Sequence, residues 1–320
     1  MLVRFWGTRG SLPVALRADA VLAKVTRALV AADGRRFADE TEAARYVMNE
    51  LDLATGGTFG GATPCVEIEG GEGVFVVCDM GSGLREFGFD ALRRCEAGHP
   101  RVFHLFLSLP HWDHIMGFPH FRPAYEAGAT IVIHSGHPNA EQVLRGQQAE
   151  GVSPVPFEAL KSRIEFAQHH HGECFDVAGM RVSVIGQGRA RASFGYRFEQ
   201  PGKAVVYSTN TEHNPAEIAA EGVFKAFFRS ADLAICDTMR SLGVAASVRE
   251  DATHASNLEA VDLCHSAGVR RLALFHHEPR YADADIQQMW SETLQYEALV
   301  RGERPQLDVL CAYDGLEVTI

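Results

Sequence analysis

Short apolar runs rich in β-branched residues recur along the chain at 3–6, 65–68, 74–78, 105–107, 131–133, 182–185, 204–207, 233–235, 272–275 and 307–311. Several are continuous rather than alternating, the pattern of strands covered on both faces. Between them, apolar residues three and four apart predict helices over 84–94, 140–150, 258–267 and 284–299. Strands and helices interleave throughout, which predicts a layered α/β architecture. Residues 14–56 read differently. Val21, Val25, Ala28, Leu29 and Ala32 make one helical stripe, and Val47, Met48 and Leu51 make another behind Thr41 as the expected cap. The simplest account is a helical hairpin inserted between the first two strands of a single domain spanning 1–320, although two domains also fit the length.

At 320 residues, with 46% hydrophobic and 22% charged content, the chain can bury a large core. Its formal charge of −11 argues against broad attraction to nucleic-acid phosphates, so nucleic acid is not the expected partner. The seven cysteines include no C-x-x-C pair, which predicts reduced, mostly buried thiols in a reducing compartment. The first residues lack the features of a secretory signal, and no apolar run reaches membrane-spanning length. A cytoplasmic protein is the expectation, with self-association left open. His169, His170 and His171 are expected to be a solvated loop rather than a metal site.

Candidate chemistry gathers at the ends of the apolar runs. Leu105-Phe106-Leu107-Ser108-Leu109-Pro110-His111-Trp112-Asp113-His114 places two imidazoles and a carboxylate just beyond a buried strand. Nitrogen and oxygen donors suit zinc, iron or manganese. H-x-D-H alone is weak evidence, because a histidine can be a hydrogen-bonded core residue. Further polar groups follow, however: Ser193-Phe194-Gly195-Tyr196-Arg197, Ser208-Thr209-Asn210-Thr211-Glu212-His213, Cys236-Asp237-Thr238, Thr253-His254-Ala255-Ser256 and His276-His277-Glu278. Their recurrence at strand ends is what a convergent site requires.

With Phe5-Trp6-Gly7-Thr8-Arg9-Gly10-Ser11-Leu12-Pro13, Gly60-Gly61-Ala62-Thr63-Pro64-Cys65 and Asp79-Met80-Gly81-Ser82-Gly83-Leu84-Arg85, these segments resemble the metallo-β-lactamase-fold hydrolases. Within that superfamily they are similar to the phosphodiesterase branch that includes ribonuclease Z. The resemblance spans the chain apart from the helical insertion and implies a four-layer αββα sandwich with its site at one edge. It also implies two adjacent metals. Carried onto this sequence, His111 belongs to the first, and Asp113, His114 and His276 to the second. Three implied ligands are replaced: Leu109 stands at the first histidine of H-x-H-x-D-H, Arg189 at a later histidine (Gln187 if the loop slips), and Asn210 at the bridging aspartate.

One imidazole cannot hold a first ion, so the expectation is one divalent metal, zinc before iron or manganese, or none. Asn210 is then a weak fourth ligand. Arg189 stands where its guanidinium can replace the lost cation and pair with an anionic substrate, or is a solvent-facing side chain. The resemblance links Asp237 and His254 to proton transfer; the bland alternative is that they only pin two loops. The expected activity is metal-dependent hydrolysis of a phosphodiester or small anionic ester, and the competing expectation is a non-catalytic binding or sensing protein that keeps the fold and pocket.

Overall fold

A computed structural model of the chain describes residues 1–187, 193–211, 222–238 and 257–320. Its strands form two seven-stranded sheets. The first contains β1 (Leu2–Gly7), β2 (Cys65–Glu69), β3 (Phe75–Cys78), β4 (Val102–Leu107), β5 (Thr130–Ser135), β6 (Arg163–Gln168) and the edge strand β14 (Glu317–Thr319), in the order β14-β1-β2-β3-β4-β5-β6. The second contains β7 (Cys174–Val177), β8 (Met180–Gln187), β9 (Ser193–Gln200), β10 (Lys203–Ser208), β11 (Leu233–Asp237), β12 (Arg271–Phe275) and β13 (Asp308–Cys311), in the order β13-β12-β11-β10-β9-β8-β7. After β1 come α1 (Ala18–Ala32), α2 (Glu40–Glu50) and α3 (Leu53–Gly56). Helix α4 (Leu84–Glu96) follows β3, the single turn α5 (Trp112–Ile115) follows β4, and α6 (Ala140–Gln147) follows β5. In the second half, α7 (Val223–Phe228), α8 (Asn257–Ala267) and α9 (Asp283–Val300) precede β11, β12 and β13.

Strand alternation divides the apolar residues among three cores, and these define four layers. Val76 and Cys78 of β3, Ala273 and Phe275 of β12, and Leu233 and Ile235 of β11 point into the space between the sheets. The alternate residues Phe75 and Val77 pack outward against Leu84 and Phe87 of α4. Leu272 and Leu274, with Ala234 and Cys236, pack outward against Val261 of α8 and Ile286 and Met289 of α9. This is the αββα sandwich, and it explains why these runs read as continuous: both faces of each are buried. The aromatic cluster under α4 is tight, with Phe75 and Phe103 stacked at 4.9 Å and Phe121 meeting Phe103 edge-on at 5.3 Å.

Four strands were absent from the apolar pattern for definable reasons. Strands β6 and β7 are sheet edges, β14 has three residues, and β9 interleaves Phe194, Tyr196 and Phe198 with Gly195, Arg197 and Glu199. Two expectations for 14–56 need correction. Asp39, not Thr41, caps α2, its carboxylate accepting from the Glu42 amide at 2.9 Å; Thr41 lies inside the helix. The α1 stripe is not covered by a core: Val21, Val25 and Leu29 are 42–70% exposed, as are the flanking Leu22 and Val30 at 68 and 74%, and no residue of α1 is buried. Helix α1 is tied down instead by Lys24, whose ammonium meets Asp283 at 2.6 Å and the Ala54 and Gly57 carbonyls at 2.5 and 2.8 Å.

Phe103→Ala is expected to lower unfolding stability by about 3–5 kcal/mol, whereas Leu22→Ser should shift it by no more than about 0.5 kcal/mol. Urea denaturation of the two variants checks both, and equal losses would place a core under α1.

Candidate metal centre

Parallel strands deliver their carboxyl-terminal loops to one edge of a sheet, and here both sheets deliver them to the same edge. Asp79 follows β3, Ser108 to His114 follow β4, Asn210 follows β10, Asp237 ends β11, and His276 follows β12. Ser11, Asp79, Asn210 and His276 all hold left-handed backbone angles, with φ of 58°, 61°, 53° and 59°. Such a conformation costs a non-glycine residue about 1 kcal/mol or more and collects at functional sites. Gly10 is required by the same crowding, since a Cβ there would lie 2.7 Å from the His276 ring.

Asp113, His114 and His276 converge with one potential ligand atom each, all within 4.8 Å of one another. Asp113 Oδ2 lies 3.4 Å from His114 Nε2 and 3.1 Å from His276 Nε2, and it accepts the Ser11 amide at 2.8 Å. Each imidazole is backed by a buried carboxylate. Asp79 Oδ2 accepts from His114 Nδ1 at 2.7 Å, from Ser108 Oγ at 2.7 Å and from the Tyr207 hydroxyl at 2.6 Å, while Oδ1 takes the Ser108 amide at 2.8 Å. Asp237 Oδ2 faces His276 Nδ1 at 3.5 Å and receives the Asn210 amide at 3.2 Å. Since Asp79 can only accept, His114 is protonated on Nδ1 and turns the lone pair of Nε2 to the centre. Asn210 Nδ2 stands 2.9 Å from that nitrogen, and turning the amide over would present its oxygen there instead.

Burial by itself would lower the His276 pKa; the charge of Asp237, then the hydrogen bond to Asp113, override it and raise the imidazole to about 10. Burial would likewise raise Asp113, yet His114 and His276 hold it well below the usual carboxylate range. The donor set fits one cation. A tetrahedral ion about 2.0–2.1 Å from each ligand separates ligand atoms by about 3.3 Å, close to the 3.4 and 3.1 Å between Asp113 and the two imidazoles, whose own ligand atoms lie within 4.8 Å of each other. The carboxylates behind both imidazoles are the usual second layer of such a centre.

The remaining predicted residues fall outside this cluster. His111 is exposed at the start of α5. Leu109 is buried at 3% exposure. Gln187 is wholly buried, donating to Ser208 Oγ at 2.6 Å and accepting from Thr211 Oγ1 at 3.0 Å. Arg189 and His254 lie outside the described residues. The expectation for the histidine tract is corrected at His169, which is buried, stacked on Phe175 at 3.9 Å and hydrogen-bonded to His134. Asp79 lies within the segment 79–85 and was not among the expected site residues. Its signal was a carboxylate directly after the apolar run 74–78.

The model of the beta-lactamase superfamily domain matches residues 75–277, and the chain belongs to that family. Ribonuclease Z of Bradyrhizobium diazoefficiens is 22% identical over 261 residues, 66% of this chain and 82% of that protein. Among solved structures, the metallo-beta-lactamase fold protein YhfI from Bacillus subtilis is similar with a TM-score of 0.61 at 15% identity, covering 99% of this chain and 98% of its own. A diphosphatase from the PhnP family is similar with a TM-score of 0.60 at 17% identity, covering 100% and 97%. The structural likenesses establish the fold. Among the described residues no helix is long and apolar enough to cross a membrane.

The raised His276 pKa gives a signed expectation for the metal-free protein. Its stabilising contribution is complete below the unfolded value of about 6.5 and is lost as pH rises through about 10. The melting temperature of the metal-free protein should therefore fall across that window, and His276→Gln should remove this part of the dependence. An unchanged slope in the variant would assign the effect elsewhere.

Proposed function

We propose that the chain is a hydrolase of phosphodiesters or related small anionic esters that works with one divalent ion, zinc before iron or manganese. The observation carrying this is the convergence of Asp113 Oδ2, His114 Nε2 and His276 Nε2 at spacings suited to a single ion, with Asp79 and Asp237 behind the imidazoles. Support for the ester class comes from the relatives named ribonuclease Z and diphosphatase. RNA is the competing substrate on that ground, but the formal charge of −11 favours a small anionic molecule. Five buried cysteines among seven free ones suit a reducing cytoplasm.

Asp113, His114 and His276 would hold the ion, with the Asn210 amide as a weak further contact. When bound, the ion polarises a phosphoryl oxygen and acidifies water. Asp79 and Asp237 fix ring orientation. His254, supported by Asp237, would carry the proton to the leaving group, and Arg189 would meet the substrate's negative charge. A second reading, a binding or sensing protein without catalysis, is favoured by one feature: buried Leu109 and the neutral Asn210 amide occupy ligand positions of the two-metal pattern.

The purified protein should carry no more than one tightly held ion, and His114→Ala or His276→Ala should abolish its binding while His137→Ala leaves it unchanged. Elemental analysis and hydrolysis of bis(p-nitrophenyl) phosphate separate the readings. Metal with turnover supports the hydrolase, absence of both supports the binding protein, and unchanged metal in both histidine variants would refute the site. Leu109→His, Arg189→His and Asn210→Asp together should raise both metal content and hydrolysis, whereas the single changes should do little. Asn210→Asp alone adds a buried charge, and Leu109→His alone buries an unpaired imidazole. A folded triple variant that takes up no further metal would favour the binding protein.

A further inference from the structure

Away from the metal centre, three imidazoles and a carboxylate form one chain of hydrogen bonds through the otherwise apolar edge of the sandwich. His104 Nδ1 lies 3.0 Å from His134 Nε2, His134 Nδ1 lies 3.0 Å from His169 Nε2, and His169 Nδ1 lies 2.9 Å from Glu173 Oε1. The residues come from β4, from β5 and from the segment joining β6 to β7, which is where the chain crosses from the first sheet to the second. His134 is stacked on Phe106 at 4.4 Å, and Phe175 of the second sheet covers both His134, at 5.6 Å, and His169, at 3.9 Å.

One proton arrangement satisfies every link. Ionised Glu173 only accepts, so His169 donates through Nδ1 and accepts through Nε2 from His134 Nδ1; His134 Nε2 in turn accepts from His104 Nδ1. All three rings are then neutral. A proton taken up at His134 puts a cation against the Phe106 and Phe175 rings, away from water, and a second proton in the chain sets two donors against each other 3.0 Å apart. We propose that His104, His134, His169 and Glu173 form an acid-sensitive latch that closes the β6–β7 crossover at neutral pH and, through it, fixes the site-side end of β8.

The connection to β8 is direct. Within the crossover, the Gly172 amide donates to the Val184 carbonyl at 2.8 Å and the Val184 amide to the Glu173 carbonyl at 2.9 Å. The Gly186 amide donates to His171 Nδ1 at 3.0 Å, next to Gln187 and its contacts with Ser208 and Thr211. Other groups packed around the chain do not neutralise an added proton. Phe106 of β4 and Phe175 of β7 are apolar, Tyr196 and Phe198 of β9 pack edge-on against Phe106, and exposed His170 lies beside Glu173. Burial first, then the charges of His104 and His169, hold His134 down at about 3, and burial also lowers His104. Opening the latch frees these rings to ionise near their ordinary value of about 6.5, so acid favours the open form. The latch is independent of the proposed hydrolase activity.

Hydrogen exchange read by mass spectrometry on the whole protein tests it, at about pH 7.5 and about pH 5 after correction for intrinsic exchange rates; each proton taken up on opening removes protection about tenfold per pH unit below about 6.5. The expected result is that peptides covering 169–187 lose protection at the lower pH while those of β12 and α9 keep theirs. His134→Gln, which retains one acceptor and a donor but does not titrate, should flatten the loss; if it does not fold, His169→Gln carries the same comparison. Unchanged protection at 169–187, a loss spread equally over β12 and α9, or full acid sensitivity in the folded variant would each overturn the latch.

Discussion

Three carboxylates, those of Asp79, Asp113 and Asp237, are buried at one edge of the sandwich around the imidazoles of His114 and His276. Removing an ion from water costs several kcal/mol unless partners replace its hydration, and the surrounding architecture can be understood as meeting that cost. Asp79 receives four donors from Ser108, His114 and Tyr207. The left-handed backbone at Ser11 and Asn210 turns their amides onto Asp113 and Asp237. Strain at these loops is thus exchanged for charge-assisted hydrogen bonds, each stronger than a neutral one. Rigid strands supply the rest, because the residues from β3, β4 and β10–β12 are held at element ends whose positions the cores fix.

The opposite side of the centre is built from neutral groups. Gln187, Ser193, Ser208 and Thr211 satisfy one another in a buried network, with Ser193 also donating to the Asn210 carbonyl at 3.0 Å. A completed network of this kind is rigid and leaves no donor or acceptor seeking a partner. It holds the Asn210 backbone, and so the direction of its amide toward His114, without contributing a metal ligand of its own. Leu109, buried just beyond β4, adds an apolar side chain with no lone pair.

Much of the fold was legible because doubly covered strands leave continuous apolar runs, as at 74–78, 233–235 and 272–275. The half-exposed edge strands β6 and β7 do not, and they escaped for that reason. The α1 stripe misled in the opposite direction: periodicity records which residues share a helix face, not whether anything packs on it. The convergence of Asp113, His114 and His276 could be anticipated from strand-end position joined to a family pattern. For Asp79 the strand-end position was visible but its partners, 29, 35 and 128 residues on, were not, and the His104–His134–His169 chain likewise joins residues 30 and 35 apart. Single histidines scattered along a sequence carry no mark of which will stack and link.

Position 210 connects the charge balance of the centre to the number of ions it suits. With both imidazoles neutral, Asp79, Asp113 and Asp237 present three negative charges, and one divalent cation reduces this to a single net charge that the surrounding amides and hydroxyls can solvate. An aspartate at 210 would restore the imbalance of four negative charges, which is compensated well only by two cations. An amide of the same shape keeps the loop geometry, the backbone bond to Asp237 and the contact with His114 while lowering that demand. A leucine at 109 and an amide at 210 are therefore mutually consistent. Each would be destabilising without the other: a bridging carboxylate with no first ion is an unpaired buried charge, and a first ion without the carboxylate would repel its neighbour across a short, poorly screened distance.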